Sequence, residues 1–385
     1  MKTKRPLTIC VFGSYDEKVL STALLLSGLS LYDQGHKIVY VHEKLPSGAV
    51  YDASHLALLH IYQRTINRLK SLVKLTLRIP DILQCDVLVI LPFGLFDLVL
   101  AAPYKYLLRK KVIYIPQNSL YHLLVYAYKN HLNRQRKIFI HLIYLIERFL
   151  FHIPNLVVFN TKAEVKYYTK LFNLPNLHTA VVPLGADDSI FIPSARKITN
   201  ETFEILFYGE YNLTHGVDII VGTAILLRKH KNIHFTFIGE GRTKQKIVSM
   251  VRRRKLKNIS FIGWLKPQEL VKHIHKADVV LGMFNNDEAL NRLIPNKVYQ
   301  GLACAKCVIT GSSAAVKEVL RHKKDIYLVK PSSPKSLAQG ILNLKRNKHL
   351  RDKLKQNGYK TYVKNFSRKP TVEKLLSEIE RLFTK

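Results

Sequence analysis

The chain is poor in acid, cysteine and tryptophan. Four cysteines in 385 residues, Cys10, Cys85, Cys304 and Cys307, are too few and too scattered for a disulfide framework. Cys304 and Cys307 form a C-x-x-C, but no second pair completes a zinc tetrad, and their flanks read as a buried helix-to-strand turn. No metal site is therefore expected. No uncharged apolar run reaches the ~18 residues of a membrane span. The best candidates are broken by Asp97 and by His141, Glu147 and Arg148. Met1 to Pro6 leads into an apolar strand rather than an apolar core with a small-residue cleavage site, so no signal peptide is expected. Long Gly/Ser/Pro tracts and fixed-period repeats are missing too, which argues against disorder and solenoids.

What is present is a large stock of apolar residues, 47% of the chain, at a mean hydropathy of -0.02. That length and composition fit two domains of roughly 180 residues each. Sixty-one Lys+Arg against 27 Asp+Glu give a formal charge of +34. Such a field suits a polyanionic partner: nucleic acid, an anionic membrane surface or a phosphorylated substrate. A solvated lysine surface is the plainer alternative.

Short apolar runs alternate with helical patterns. Leu7–Gly13, Lys37–His42, Asp86–Pro92, Val112–Pro116 and Leu156–Thr161 read as strands of one parallel sheet. The pattern restarts after Val181-Val-Pro-Leu-Gly185 with Glu204–Gly209, His234–Gly239, Ile259–Gly263, Asp278–Phe284, Cys307–Thr310 and Ile326–Val329. The expected architecture is α/β, with two Rossmann-like, doubly wound domains facing an interdomain cleft. They cover 1–183 and 184–366, and a C-terminal helix over 367–385 packs back toward the first. Ligands of such sheets sit at the carboxyl ends of the strands.

Two segments carry chemistry. In Ile205-Leu-Phe-Tyr-Gly209-Glu-Tyr-Asn-Leu-Thr-His215-Gly216, a buried strand ends in glycine and His215-Gly216 opens a helix. Free N–H groups and the helix dipole favour a phosphate there. In Arg292-Leu-Ile-Pro295-Asn296-Lys297-Val-Tyr-Gln300, proline at the first turn leaves Asn296 and Lys297 at a second positive helix start, with Gln300 one turn on. Each reads alternatively as an ordinary turn or cap, but two anion-ready helix starts in one domain favour a diphosphate. Glu240, between two glycines after a strand, is a further candidate nucleotide contact. Asp187 and Asp188 read as linker caps, and His122 reads either as an acceptor-side group or as a structural histidine.

Val182-Pro-Leu-Gly-Ala-Asp-Asp, Phe207-Tyr-Gly, His215-Gly216, Phe237-Ile-Gly-Glu-Gly241, Phe261-Ile-Gly-Trp264, Ala277-Asp278 and Ile294-Pro-Asn-Lys-Val-Tyr-Gln300 together resemble glycosyltransferase family 4. The likeness is greatest to a bacterial branch with an I-P-N-K-V-Y-Q motif. Gly13-Ser-Tyr-Asp16, Pro92-Phe-Gly, Ser119-Leu-Tyr121 and the Glu147-Arg148 helix extend it loosely into the first half. The resemblance implies a GT-B fold and a retaining, metal-independent transferase. Such an enzyme moves a sugar from a nucleotide diphosphate to a glycan or lipid-linked acceptor, without a cofactor. Lys297 and His215 would stabilise the diphosphate and His122 would stand on the acceptor side. Gly209, Gly216, Glu240, Pro295, Asn296, Gln300, Gly13, Ser14 and Ser119 would contact substrate. The broad family carries paired glutamates where this chain has Arg292 and Gln300, so a non-catalytic scaffold that keeps the donor pocket remains an alternative.

The segment Lys129–His152 has a basic entry, Arg134-Gln-Arg-Lys137, followed by a nearly all-apolar helix. It reads as a core helix or as an interfacial one that meets anionic lipid. A cytoplasmic protein, peripheral on the inner face of the membrane, is the matching expectation. A nucleic-acid-binding relative of the fold is the rival, although no zinc-finger, helix-turn-helix or RNP-like motif is present.

Overall fold

The computed structural model describes residues 5–15, 28–44, 79–91, 95, 97–116, 119–128, 133–194 and 202–384. Contacts divide the chain into two units. The first holds Met1–Phe159, Val165–Val182 and Val372–Lys385; the second holds Asn160–Glu164 and Pro183–Thr371.

In the first unit, β1 (Thr8–Tyr15), β2 (Lys37–Lys44), β3 (Val87–Ile90), β4 (Lys111–Tyr114), β5 (Leu156–Phe159) and β6 (Thr179–Val181) form a six-stranded sheet. Its order is β2-β1-β3-β4-β5-β6, and every pair is parallel. Both faces are covered, which is why β3 and β5 are buried along their whole length instead of alternating. On one face lies α1 (Asp97–Tyr106), with the aromatic group Tyr114, Phe151, Phe159, Tyr168 and Phe172. The other face receives Val372, Leu375, Leu376 and Ile379 of the last helix, Arg368–Arg381. Phe383, just beyond that helix, stays 42% exposed.

Also in this unit are α2 (Leu120–Ala127) and α3 (Arg134–Leu150). Glu147 of α3 is buried, and its carboxylate accepts from Ser119 Oγ (2.9 Å), Leu120 N (3.2 Å) and Tyr121 N (2.9 Å). A carboxylate is thus set against the positive start of α2, where it satisfies N–H groups that the helix leaves open. Burial pushes its pKa up to about 7.

The second unit repeats the design. β7 (Phe203–Tyr208), β8 (Ile233–Ile238), β9 (Ile259–Ile262), β10 (Val279–Leu281), β11 (Cys307–Gly311) and β12 (Tyr327–Val329) are all parallel. Their order is β12-β11-β10-β7-β8-β9. This is two βαβαβ halves meeting at β7 and β10, the doubly wound arrangement expected from the alternation of runs. Apolar clusters pack on both faces. Cys304 and Cys307 are buried in the turn into β11, where burial pushes both thiols up to about 12. Among the described residues, no helix is long and apolar enough to cross a membrane and no cluster of His, Cys, Asp or Glu could hold a metal ion.

Candidate functional site

In a doubly wound sheet, the connections leaving two adjacent strands on opposite faces open a crevice at the point where strand order reverses. In the second unit that point lies between β7 and β10. The loop after β7 leads to α4 (Val217–Leu226), and the loops after β10 lead to α5 (Asn296–Ala303). The two helix starts picked out from the sequence are therefore the two flanks of the switch point. Their loops touch: Phe284 N donates to His215 O at 3.2 Å.

Glycine is required at both ends of the first loop. Gly209 lies at φ +123°, and a Cβ there would stand 2.9 Å from Lys297 Nζ. Gly216, the N-cap of α4, lies at φ +68°, and a Cβ would meet Asn285 N at 2.7 Å. A side chain at either position would combine left-handed strain with a clash. Between them Asn212 shapes the loop. Its Oδ1 accepts from His215 N (3.0 Å) and Thr214 Oγ1 (2.8 Å), and its Nδ2 donates to the Glu210 carboxylate (3.1 Å).

Lys297, far from being an exposed helix-start lysine, is only 6% exposed. Its ammonium sits 5.2 Å from the centre of the Phe207 ring and 3.5 Å from His215 Nδ1. Burial lowers its pKa to about 7, and the Glu210 charge offsets part of that. Burial and the Lys297 charge hold His215 well below the ordinary imidazole value, against a hydrogen bond to the Glu210 carbonyl. Since a carbonyl only accepts, His215 Nδ1 carries the proton in that 2.5 Å contact, and Nε2 is left as the basic nitrogen. Burial raises Glu210 in turn. A lysine, an imidazole and two helix starts are thus held in a site whose burial disfavours positive charge. An entering polyanion would reverse that balance.

Pro295 caps α5, Asn296 next to it is exposed, and Gln300 is buried one turn beyond Lys297. Glu240 lies at the end of β8, its carboxylate paired with Lys244 and 56% exposed. Ser119 does not present an open hydroxyl: it is fully buried as the N-cap of α2, accepting from His122 N (3.1 Å) and donating to Glu147. His122 Nδ1 lies 2.7 Å from Tyr167 Oη. Asp187 and Asp188 both bind Arg368, at 2.6 and 3.1 Å, a structural task that agrees with their reading as caps. Of Gly13 and Ser14 only their place at the end of β1 is described, and Asp16, Pro92-Phe-Gly, Gln117 and Asn118 fall outside the described residues.

Two features escaped the sequence reading. Glu210 carries no motif of its own, yet it is the carboxylate whose charge supports Lys297. Arg292, the departure from the paired glutamates, is buried with its charge facing the buried Glu164, whose pKa is raised to about 7 by burial. A buried arginine opposite an acid 128 residues upstream leaves no local sequence signal.

The fold is that of GT-B proteins, and the crevice lies at the switch point of the second sheet. Residues 188–361 match the family model described as "Glycosyl transferases group 1". The uncharacterized glycosyltransferase MJ1178 of Methanocaldococcus jannaschii is 26% identical over 178 residues, which is 46% of this chain and 47% of that protein. The chain spans about half the length of the curated relatives it matches. Among solved structures, HepE of Anabaena in complex with UDP and glucose superposes with a TM-score of 0.69 at 13% identity, covering 97% of this chain and 100% of that one. Sucrose-phosphate synthase of Thermosynechococcus elongatus gives a TM-score of 0.70 at 12% identity, covering 99% and 100%. At such identities the likeness is one of fold.

Proposed function

We propose that the chain is a glycosyltransferase of the family 4 type, moving a sugar from a nucleoside diphosphate donor to a glycan or lipid-linked acceptor. The transfer proceeds with retention of configuration and without a resident metal or cofactor. The observation that carries this reading is Lys297, buried at the start of α5, 3.5 Å from His215 and over the backbone of Gly209, at the switch point of the sheet. As the donor bond breaks, charge accumulates on the departing diphosphate. Lys297, a protonated His215 and the N–H groups at the start of α4 are the groups that would meet it. In a dry site such cations stabilise the charged leaving group more than the intact donor, which is what lowers a barrier.

HepE was solved with UDP and with UDP-glucose, so a uridine diphosphate sugar is the first donor to try. The reading places the protein in the cytoplasm, in peripheral contact with the inner face of the membrane, where a lipid-linked acceptor would be met. The test is release of nucleoside diphosphate from a panel of nucleotide sugars, with extracted membrane lipid as acceptor, by wild type and Lys297→Ala. Turnover of one donor that the substitution abolishes supports the reading. Turnover unchanged by Lys297→Ala removes Lys297 from the proposed role, and inversion at the anomeric carbon of the product removes retention.

A further inference from the structure

α3 shows its apolar residues to solvent. Ile138, Leu142, Leu145, Ile146 and Phe149 are 43–70% exposed, and the spacing i, i+4, i+7, i+8, i+11 puts them on one face. The opposite side, Ile140, Glu147 and Leu150, is buried and fixes the helix to the first unit. The carboxylate contacts of Glu147 to the start of α2 hold that orientation. Arg134, Lys137, His141 and Arg148 fall along one border of the apolar face by the same helical spacing.

A second patch adjoins the end of this helix. Lys105 Nζ, on the last turn of α1, donates to His152 O just beyond α3 at 3.3 Å. The end of α1 and the turn that follows expose Tyr106 (61%) and Leu107 (79%), and the chain continues through Arg109-Lys110-Lys111 into β4.

We infer that this surface of the first unit, α3 together with the Tyr106–Lys111 turn, docks on an anionic phospholipid bilayer. The apolar face of α3 lies at the level of the headgroups, and the basic border meets lipid phosphate. Charge selects this occupant. A contiguous apolar face of this kind is uncommon on a free surface. A second copy of the chain would bring its own basic border and a formal +34 against this one. An anionic membrane complements both the face and the border. The inference rests on the membrane part of the reading above and is independent of the transfer chemistry.

The experiment is co-sedimentation of the full chain with phosphatidylcholine vesicles, with and without phosphatidylglycerol, run beside size-exclusion chromatography. Two variants are compared with wild type: Ile138→Ser/Leu142→Ser/Phe149→Ser, and Arg134→Glu/Lys137→Glu. All five positions are exposed, so the fold should tolerate the changes, and a UDP-induced thermal shift equal to that of wild type verifies an intact second unit. We expect wild type to bind phosphatidylglycerol vesicles, and each variant to partition on the order of tenfold more weakly. Equal binding to neutral and anionic vesicles, or full binding by both variants, overturns the inference. Concentration-dependent dimerisation lost in the serine variant, with no vesicle binding by wild type, overturns it in favour of a second copy. Loss of vesicle binding with donor turnover intact, or the reverse, separates this inference from the transferase reading.

Discussion

Lys297→Met should make the empty protein more stable and leave it without a donor site. Methionine keeps the length of the buried stem and removes the ammonium. In the empty site the lysine is displaced from 10.5 to about 7, chiefly by burial. At about 1.4 kcal/mol per pH unit, holding or discharging this group in the folded state at neutral pH costs roughly 5 kcal/mol. Relaxation and water entry will shrink the measurable part, and we expect a gain of about 1–3 kcal/mol for the variant. For a unit of this size that is a rise in Tm of roughly 2–4 °C per kcal/mol. The pH dependence has a fixed sign. Between about pH 7 and 10.5 the unfolded chain holds a proton that the folded site has released, so this residue makes wild type more stable as pH rises through that window. The variant should lack that slope. Scanning fluorimetry of both proteins, with and without nucleoside diphosphate, reads all three effects. A lower Tm for the variant combined with a ligand shift equal to wild type would refute the reasoning.

Donor affinity should fall with pH: above about pH 7 the empty lysine is neutral, and the anion must then draw in a proton. Calorimetry of wild type in buffers of different ionisation enthalpy should show proton uptake at pH 8 that shrinks at pH 6, where the lysine already holds its proton. Gly216→Ala joins left-handed strain to a 2.7 Å approach on Asn285 N, so a loss of about 1–3 kcal/mol in urea unfolding is expected, with weaker donor binding. Glu147→Gln puts amide hydrogens where three donors converge, and about 1–3 kcal/mol should be lost. The wild-type carboxyl keeps its proton up to about pH 7, against 4.5 when unfolded, so its contribution declines as pH rises across that window. In the glutamine variant this decline should vanish.

Strand positions of both sheets were legible because strands covered on both faces are runs of Val, Ile, Leu and Phe, as at Val87–Ile90 and Leu156–Phe159. Their ends shifted by one to three residues, where hydrogen bonding and not hydropathy decides the last pair. β6 is three residues long and gave no run to read. Helix starts at His215-Gly216 and Pro295-Asn296 were legible because capping is local chemistry. Burial of Lys297 was not, since it arises from Gly209 and Phe207 on a strand ninety residues away. Ser119 failed for a related reason: a serine ahead of an apolar helix suits both a cap and a substrate contact, and only Glu147 of α3 decides between them. The basic entry and apolar length of α3 were readable, but which side faces solvent is set by the packing of Ile140, Glu147 and Leu150.

The central claim is that the crevice between β7 and β10 holds the donor diphosphate. A crystal structure of the protein with a nucleoside diphosphate tests it most directly. The account requires phosphate oxygens at about 3 Å from Lys297 Nζ and from an N–H at the start of α4, with His215 in contact. A nucleotide bound elsewhere, with Lys297 still packed on Phe207 beside His215, would contradict it.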